Sequence, residues 1–532
     1  MSYSNRERFI LWLSHRCIWL LLLGFLGLGA VTRADSNPTP VPVGVWIENN
    51  RASALAQEAI GILLAAEAEG LNPSDYDVTV LQQQQRALGN WIGADSASAQ
   101  SFDAALSKAV LRYLNDLALG RVSAKDVHQN YDTSTHRAFD AVEHLSAALT
   151  APMRGTTLTD VMAQAAPNFP LYAALKRALA DYRNLSADPA WSERLAMPTG
   201  NKVELGDDYS DLGRLQARLV LLGDMIERLP AKTYDLQLVQ AVESFQGRHG
   251  LFVDGVIGPQ TLEALNVTPL QRVAQIALSM ERLRWTPLQQ GNRLIVVNIP
   301  GFTLYAYEVD AQGKLNIQVE MRVVIGRSLN HRTPIFDEDM KFIEFSPYWN
   351  VPISIARSET IPAIERNANY LANQGMEFVD RQGNVSFAVS AEKLQAVRDG
   401  QLRIRQRPGP KNALGDIKFI FPNNQNIFLH HTPATQLFSL SRRDFSHGCI
   451  RVEDPVALAQ FVLQDEPQWT VDRIREAMTA GASRTIKLRT PLPVLIGYST
   501  VIARDSKVYF YPDIYGHDRS LDQALRTARQ LN

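Results

Sequence analysis

The hydrophobic periodicity of the chain changes near residue 292, and this change limits what the chain can fold into. Before that point apolar residues recur every three to four positions, as at Ile60, Leu63 and Leu64, which is typical of amphipathic helices. Beyond it they form short runs, such as 294–298 and 319–325, separated by Gly, Pro and Asn, which is typical of strands. A chain of 532 residues is too long for one hydrophobic core. The sequence therefore predicts a multidomain α+β protein.

Composition and turn residues divide the chain into successive segments. We predict a signal peptide or anchor at 1–34, a helical scaffold domain at 40–205, a small three-helix domain at 211–266, a mainly β domain at 290–505 with an insertion at 354–400, and a C-terminal extension at 506–532. The insertion is predicted because helix-like sequence from Ile355 to Ala372 interrupts the strands. Beside a site it would be either a lid or a peripheral decoration. The C-terminal extension receives no role.

The N-terminal segment predicts export. Arg6, Arg8 and Arg16 precede an apolar run at 17–31, which Thr32-Arg33-Ala34 follows with small residues suited to signal peptidase. The run is shorter than the roughly 20 residues that span a bilayer. We expect cleavage near Ala34, with an uncleaved membrane anchor as the alternative.

The net charge argues against one class of partner. The formal charge of the whole chain is −1, with 54 basic and 55 acidic residues. Such a near-neutral balance does not favour binding to nucleic acid, and we expect none. Membrane contact is expected only through an uncleaved leader.

One cysteine remains outside the leader. The chain has two cysteines, Cys17 in the apolar run and Cys449 in the string Ser446–Arg451, which reads SHGCIR. A single thiol in an exported protein cannot form an internal disulfide, so its presence suggests use. A nucleophilic thiol needs a base within reach, and His430 and His447 are the two candidates.

The residues around Cys449 suit acyl transfer. Gly448 lets the backbone approach a substrate closely, and the amides of Gly448 and Cys449 could hold an oxyanion. Arg451 would share a face with Cys449 if the segment is a strand, and could then bind a substrate carboxylate as a two-pronged donor. A structural salt bridge is the alternative for Arg451.

Two other interpretations of the cysteine stay open. His430, His431, His447 and Cys449 could be zinc ligands, but no second cysteine stands near them and the spacing matches no standard zinc pattern. Cys449 could also be an inert buried thiol. We expect no metal and no cofactor.

Several motifs resemble one enzyme family. His430, followed after fifteen residues by Ser446–Arg451, resembles the signature of the YkuD-type L,D-transpeptidase catalytic domain. Segment 211–266 resembles the peptidoglycan-binding domain of cell-wall hydrolases. Further resemblances to this family lie at 324–326, 332–334, 347–352 and 409–415, and at 117–122 for its scaffold segment. The domain order resembles that of the large murein L,D-transpeptidases of Gram-negative bacteria.

The resemblance implies roles for individual residues. Cys449 would be the nucleophile and His430 the general base and acid, whereas His447 and Gly448 would line the site or shape the oxyanion hole. Ser446, Trp349, Asn350 and Arg451 would bind substrate. Position 431 often holds a small polar or acidic residue in this family, and here it is His431. The group that orients His430 is therefore open, with a backbone carbonyl as one alternative.

The resemblance also implies a reaction and a location. Cys449 would form a thioester with a tetrapeptide donor stem, release D-alanine, and pass the acyl group to a diaminopimelate amine, giving a 3→3 peptidoglycan crosslink in the periplasm. Acylation of Cys449 by carbapenems is implied too. The alternatives are an L,D-carboxypeptidase that uses water, attachment of a lipoprotein to peptidoglycan, and a non-catalytic murein-binding protein.

Overall fold

The computed structural model describes residues 44–90, 96–131, 139–150, 155–198, 200–228, 230, 232–288, 291–311 and 313–531. The predicted leader at 1–34 lies outside the described residues, so its cleavage stays a prediction. Within the described ranges, no helix is both long and apolar enough to cross a membrane.

The N-terminal region is helical. Its helices are α1 Ala54–Leu64, α2 Val78–Asn90, α3 Ser96–Leu119, α4 Ala141–Leu149, α5 Leu158–Ala163 and α6 Pro170–Leu185, preceded by a hairpin of β1 Ile47–Glu48 and β2 Arg51–Ala52. Ser53 caps α1 by accepting a hydrogen bond from the Ala56 amide. Helix α3 buries Phe102, Leu106 and Leu114 along one stripe against α1 and its neighbours.

The end of this region belongs to the core of the β domain. Strand β3, Gln129–Asn130, pairs in parallel with Ile335–Phe336 of the large sheet. Helix α6 buries Tyr172, Leu175 and Leu179 in the same core as that sheet. The helical region is therefore built into the β domain at its C-terminal side.

The small helical domain follows. It consists of α7 Leu212–Leu221, α8 Leu236–Arg248 and α9 Pro259–Leu265 around a core of its own. The side chain of Gln246 holds the loop between α8 and α9, because its Oε1 accepts from the amides of Asp254 and Gly255. Gly255 has φ +67°, and a Cβ there would lie 2.5 Å from Val239 Cγ1. The glycine is therefore required for this turn.

Helix α10, Pro269–Trp285, connects the domains through a buried ion pair. Arg284 Nη1 donates to Glu281 Oε2 at 2.6 Å, and both side chains are fully buried. Glu281 also accepts from the amide and guanidinium of Arg121, which lies in the scaffold. Gly120, with φ +82°, packs against Glu281 and Trp285. The segment 117–122 is thus the joint between scaffold and helix α10.

The C-terminal domain is mainly β. Its large sheet has the order β12-β13-β15-β6-β5-β4-β16-β7-β3, and β14 pairs with β6. Because β12 also pairs with β7, the sheet closes on itself. The strands are β4 Arg293–Asn298, β5 Thr303–Val309, β6 Leu315–Gly326, β7 Ile335–Phe345, β12 Ile417–Ile420, β13 Leu429–His430, β14 Asp444–Ser446, β15 Ile450–Val452 and β16 Arg484–Gly497. Helices α15 Pro455–Val462 and α16 Val471–Thr479 lie between β15 and β16. The prediction of a multidomain α+β fold is confirmed.

The insertion is a subdomain larger than the predicted 354–400. Its sheet has the order β10-β9-β11-β8, formed by β8 Trp349–Asn350, β9 Met376–Val379, β10 Val385–Ser386 and β11 Arg403–Gln406. Its helices are α11 Ile353–Ile355, a π-helix at Ala356–Thr360, α12 Ile361–Arg366, α13 Tyr370–Asn373 and α14 Ala391–Arg398. A separate core includes Ile361, Phe378 and Ile404. The pairing of β8 with β11 sets the true limits, and such long-range pairing leaves no local sequence signal.

The C-terminal segment is part of the β domain. The hairpin of β17 Val501–Arg504 and β18 Lys507–Phe510 spans the predicted boundary at residue 505, which is therefore misplaced. Phe510, Tyr515 and Leu521, the last in helix α17 His517–Leu531, are buried in the core of the β domain. Phe510 also stacks on His249, which stacks on Phe245 of the small domain.

We predict that Gly120→Ala destabilises the joint between scaffold and helix α10. A Cβ at this position would lie 3.0 Å from Glu281 Oε1 and 3.1 Å from Trp285 Cε3, both held in place by their neighbours. Gly155→Ala is the matched control, since Gly155 has a similar φ of +79° and none of the described residues lies within 4 Å of its Cβ position. In both variants the alanine adopts a positive φ, which costs roughly 1–2 kcal/mol of backbone strain.

The free energy of unfolding of Gly120→Ala should fall by roughly a further 1–3 kcal/mol, because the added methyl group overpacks the joint. Urea unfolding of the two variants measures the difference. Equal midpoints would show that the joint tolerates the methyl group and that the packing described above does not matter for stability.

Candidate active site

Strand register brings Cys449, His430 and two cations to one face of the sheet. Strand β13 runs parallel to β15, with His430 opposite Arg451. Strand β12 runs antiparallel to β13, with Lys418 opposite His430. Partner residues on adjacent strands project to the same face. Cys449 lies two residues before Arg451, so its side chain is on the same face, as expected from the sequence.

His430 is oriented by a backbone carbonyl. The side chain is buried, and Nδ1 lies 2.5 Å from the carbonyl oxygen of His431. A carbonyl only accepts hydrogen bonds, so the ring proton sits on Nδ1 and Nε2 is left to accept a proton. The ring of His431 points elsewhere, with Nδ1 3.3 Å from Asp416 Oδ2. The group that orients His430 is therefore the main-chain carbonyl of His431.

The surroundings of His430 and Cys449 favour the uncharged form of each side chain. Burial, with Arg451 and Lys418 nearby, lowers the pKa of His430 to about 3, although hydrogen bonds to the carbonyls of His431 and Leu414 oppose the shift. Burial likewise raises the pKa of the Cys449 thiol, whose Sγ lies 3.6 Å from the carbonyl oxygen of Asn426. A neutral thiol needs a base to become a nucleophile, and a neutral imidazole can serve.

Ser446 closes the turn that carries the cysteine. Its hydroxyl donates to the Cys449 carbonyl at 2.5 Å and accepts from the Gly448 amide at 3.1 Å. Ser446 is also buried, so its hydroxyl braces the turn, whereas the sequence assigned it to substrate. The Gly448 amide is occupied as well. Among the described residues the Cys449 amide donates no hydrogen bond, so it is available to an acceptor such as an oxyanion. Gly448 has φ +117°, a conformation that favours glycine.

A buried network supports this turn from behind. Thr333 Oγ1 donates to the Gly448 carbonyl at 2.7 Å and accepts from the Gly326 amide at 2.9 Å. The Tyr515 hydroxyl donates to the Gly326 carbonyl and accepts from the Thr333 amide. A Cβ at Gly326 would lie 1.9 Å from the His331 carbonyl oxygen. These contacts explain the motifs at 324–326 and 332–334, and they give the C-terminal segment a part in the site.

His447 contacts the insertion. Its Nε2 lies 2.6 Å from Glu359 Oε1, and its ring centroid lies 4.7 Å from that of His331. Glu359 belongs to the π-helix Ala356–Thr360. The insertion therefore reaches the residue two positions before Cys449 and is not a peripheral decoration.

Two cations flank the thiol. Arg451 is largely buried, and burial lowers its pKa. Its Nε is buried without a hydrogen-bond partner among the described residues, so the alternative of a structural salt bridge finds no support. Lys418 Nζ lies 4.0 Å from the Phe428 ring centroid and 3.9 Å from Glu344 Oε2. Lys418 was not among the residues predicted from the sequence, although a lysine between two apolar residues, Ile417 and Phe419, was an available signal.

Trp349 and Asn350 lie in the insertion. They form strand β8, which pairs with Arg405 and Gln406 of β11. Trp349 packs against the core of the insertion, and Asn350 is exposed. The structure therefore does not place either residue in the row of Cys449 and His430, and their binding of substrate stays a prediction. Within the described ranges, no group of three or more His, Cys, Asp and Glu side chains is arranged to hold a metal ion.

Three family models match the chain. Residues 292–494 match the YkuD model, described as "L,D-transpeptidase catalytic domain". Residues 43–179 match "Scaffold domain", and residues 208–265 match "Putative peptidoglycan binding domain". The chain carries an L,D-transpeptidase catalytic domain. The L,D-transpeptidase domain contains Cys449 and His430, and it contains the whole insertion.

Relatives of this chain include a Haemophilus influenzae protein named "Putative L,D-transpeptidase". It is 30% identical over 306 residues, which cover 57% of this chain and 59% of the relative. The chain thus spans about three fifths of the length of that curated relative.

Two solved structures also align. One is an L,D-transpeptidase from Stackebrandtia nassauensis, 13% identical over 57% of this chain and 97% of its own, with a TM-score of 0.23. The other is a fused Zn-dependent amidase/peptidase/peptidoglycan-binding domain-containing protein from Clostridium acetobutylicum, 14% identical over 56% and 99%, with a TM-score of 0.18. Both TM-scores are too low to compare the folds.

We predict that Tyr515→Phe slows acylation of Cys449 in the L,D-transpeptidase domain by about tenfold. The variant leaves the buried Gly326 carbonyl and Thr333 amide without their partner, a loss of roughly 1–3 kcal/mol that acts next to the turn. Tyr511→Phe is the control, because Tyr511 lies four residues earlier in the same segment and its carbonyl oxygen accepts from Gln275, not from a residue of the turn. Intact-protein mass spectrometry with a carbapenem measures acylation.

Thermal unfolding of the same two variants separates positioning from general stability. If Tyr515→Phe and Tyr511→Phe acylate at equal rates, the network behind the turn does not position Cys449.

The low pKa of His430 predicts an unusual pH profile. A pKa lowered to about 3 keeps the imidazole neutral, and able to accept a proton, at every pH above that value. We expect the rate constant for carbapenem acylation to be flat between about pH 5 and about pH 7, where an ordinary histidine would lose roughly twentyfold. An acid limb near pH 6.5, or a tenfold rise for each pH unit, would contradict base catalysis by His430.

Proposed function

We propose that the protein is a murein L,D-transpeptidase that forms 3→3 peptidoglycan crosslinks through a thioester on Cys449. One observation carries this proposal. The His431 carbonyl fixes the proton of His430 on Nδ1, which leaves Nε2 as a proton acceptor on the face that also bears Cys449. The match of residues 292–494 to the catalytic domain supports the same reaction class.

In the first half-reaction Cys449 is acylated. His430 Nε2 takes the thiol proton as Sγ attacks the carbonyl that precedes the terminal D-alanine of a tetrapeptide stem. The C–S bond forms, and the Cys449 amide stabilises the oxyanion of the tetrahedral intermediate. His430 then returns the proton to the departing nitrogen, the C–N bond breaks, and D-alanine leaves.

Arg451 and Lys418 suit the donor stem. The stem carries carboxylates on D-alanine and on diaminopimelate, and both cations flank the thiol. Arg451 brings a guanidinium whose Nε is unused among the described residues. A bidentate hydrogen bond from the guanidinium to a carboxylate would fix the position of the stem relative to Sγ.

In the second half-reaction the thioester is passed to an amine. The side-chain amine of diaminopimelate on another stem attacks the thioester carbonyl, the C–N bond forms, and the C–S bond breaks. The thioester retains the energy of the amide that was cleaved, so the exchange needs no nucleotide. This suits the periplasm, where we place the protein on the basis of its predicted leader.

The small helical domain supports the substrate class. Residues 208–265 match a peptidoglycan-binding model, and the domain contacts the catalytic domain through His249 and Phe510. A murein strand held there would raise the effective concentration of stems near Cys449.

Purified protein and tetrapeptide muropeptides test the proposal. Crosslinked dimers with released D-alanine support transfer to an amine. Free tripeptide without dimers would instead indicate an L,D-carboxypeptidase, and lipoprotein joined to peptidoglycan in cells would indicate another acceptor.

Two variants test the roles of the residues. Cys449→Ala should abolish release of D-alanine while binding to sacculi persists, because the thiol carries the chemistry and the small domain does not depend on it. His430→Ala should slow acylation by about 10²–10⁴-fold, the usual contribution of a general base. Unchanged release of D-alanine from Cys449→Ala would refute the nucleophile, and a protein that binds sacculi without releasing D-alanine would be a murein-binding protein only.

A further inference from the structure

Two imidazoles lie beside Cys449, and each is oriented by a different partner. His430 Nδ1 donates to the His431 carbonyl. His447 Nε2 lies 2.6 Å from Glu359 Oε1, and an ionised carboxylate only accepts hydrogen bonds. Of the two ring nitrogens of His447, Nε2 is therefore taken up by Glu359, and Nδ1 is left for another partner. The site thus contains a second imidazole, and the group that orients it comes from the insertion.

The proposed reaction needs a second base. The amine of the acceptor stem resembles a lysine amine, whose pKa is about 10.4, so it is an ammonium at neutral pH. Only the neutral amine can attack the thioester. The first half-reaction ends with His430 neutral again, and His430 is then needed for the second proton, which the nitrogen loses as it adds to the thioester.

The charges around the two imidazoles differ in sign. Lys418 and Arg451 neighbour His430 and favour the carboxylates of the donor. Glu359 neighbours His447, and a carboxylate at hydrogen-bond distance attracts an ammonium. Burial, with His447 and Arg327 nearby, lowers the pKa of His331, whereas Glu359 opposes this shift.

The backbone at Glu359 also sets it apart. Ala356–Thr360 is a single π-helical turn between α11 and α12. Such turns redirect side chains and occur often at functional sites. The insertion has a core of its own, which holds this turn independently of the catalytic sheet. Glu359 is therefore placed toward His447 by a rigid element.

We propose that His447 and Glu359 form the subsite for the acceptor amine, an inference that rests on the proposed transfer reaction. Glu359 attracts the ammonium, and His447 Nδ1 takes one of its protons. The nitrogen lone pair attacks the thioester carbonyl, and the C–N bond forms. His430 Nε2 takes a second proton from that nitrogen, the C–S bond breaks, and the thiolate recovers this proton from His430. The proton on His447 passes to solvent.

Glu359→Gln tests the subsite, with Glu365→Gln as the matched control. The glutamine keeps an oxygen at the end of the side chain but removes the charge. Glu365 is a carboxylate of the same insertion, and it pairs with Arg398 at 2.5 Å instead of contacting the site. The donor is a tetrapeptide muropeptide, and the acceptor is a tripeptide muropeptide at varied concentration.

Two quantities are measured for each protein. The first is the initial burst of D-alanine, which reports acylation of Cys449. The second is the ratio of crosslinked dimer to hydrolysed tripeptide, which reports how the thioester divides between amine and water. We expect Glu359→Gln to lower this ratio by about tenfold or more, with a much smaller effect on the burst, and Glu359→Asp to restore part of it.

Each outcome decides between the proposals. A ratio in Glu359→Gln equal to that of the wild type, or one lowered equally in Glu365→Gln, would overturn the acceptor subsite. A burst that falls as far as the ratio would assign Glu359 to the donor side and would overturn it as well. If the wild type gives no burst, the proposed function itself fails, and this result is distinct from the others.

Discussion

The catalytic geometry depends on a parallel pairing between two very short strands. Strand β13, Leu429–His430, carries the proposed base, and β15, Ile450–Val452, follows directly after the cysteine. A pairing of two residues is weak on its own, so its register must be imposed by neighbours. Strand β12 fixes β13 from one side, and β6 fixes β15 from the other. Because the sheet closes through β12 and β7, a shift in one strand would have to move the whole sheet.

The turn between β14 and β15, which carries Cys449, is held by hydrogen bonds that converge from distant parts of the chain. Ser446 closes it, Thr333 holds the Gly448 carbonyl, and Tyr515 supports Thr333. On the other side the scaffold meets helix α10 through Glu281 and Arg284. Buried ion pairs of this kind add little to stability, but breaking one leaves an uncompensated charge. Polar contacts thus fix where the elements lie, while apolar burial holds them together.

The sequence was most informative where the chemistry is local. Cys449 and His430 could be found from a motif and a spacing, and the strand that ends at His430 from its apolar run. Alternating periodicity identified the β domain. The local sequence could not show that Trp349 begins a strand of the insertion, because its partner Gln406 lies far along the chain. Glu359 and Tyr515 were missed for the same reason, since each acts through a contact made only in the folded protein.

The stack formed by Phe245, His249 and Phe510 has a further meaning. His249 is sandwiched between the ring of a helix in the small domain and the ring at the end of the C-terminal hairpin. Arg248 adds a hydrogen bond to the Val508 carbonyl. Only five residues beyond Phe510 stands Tyr515, which reaches the turn of Cys449. The small domain is thus attached to the C-terminal hairpin by an aromatic stack and a hydrogen bond, which set its orientation. A murein strand bound by the small domain would lie at a fixed distance from the Cys449 thiol. The domain would therefore determine where along that strand crosslinks are made.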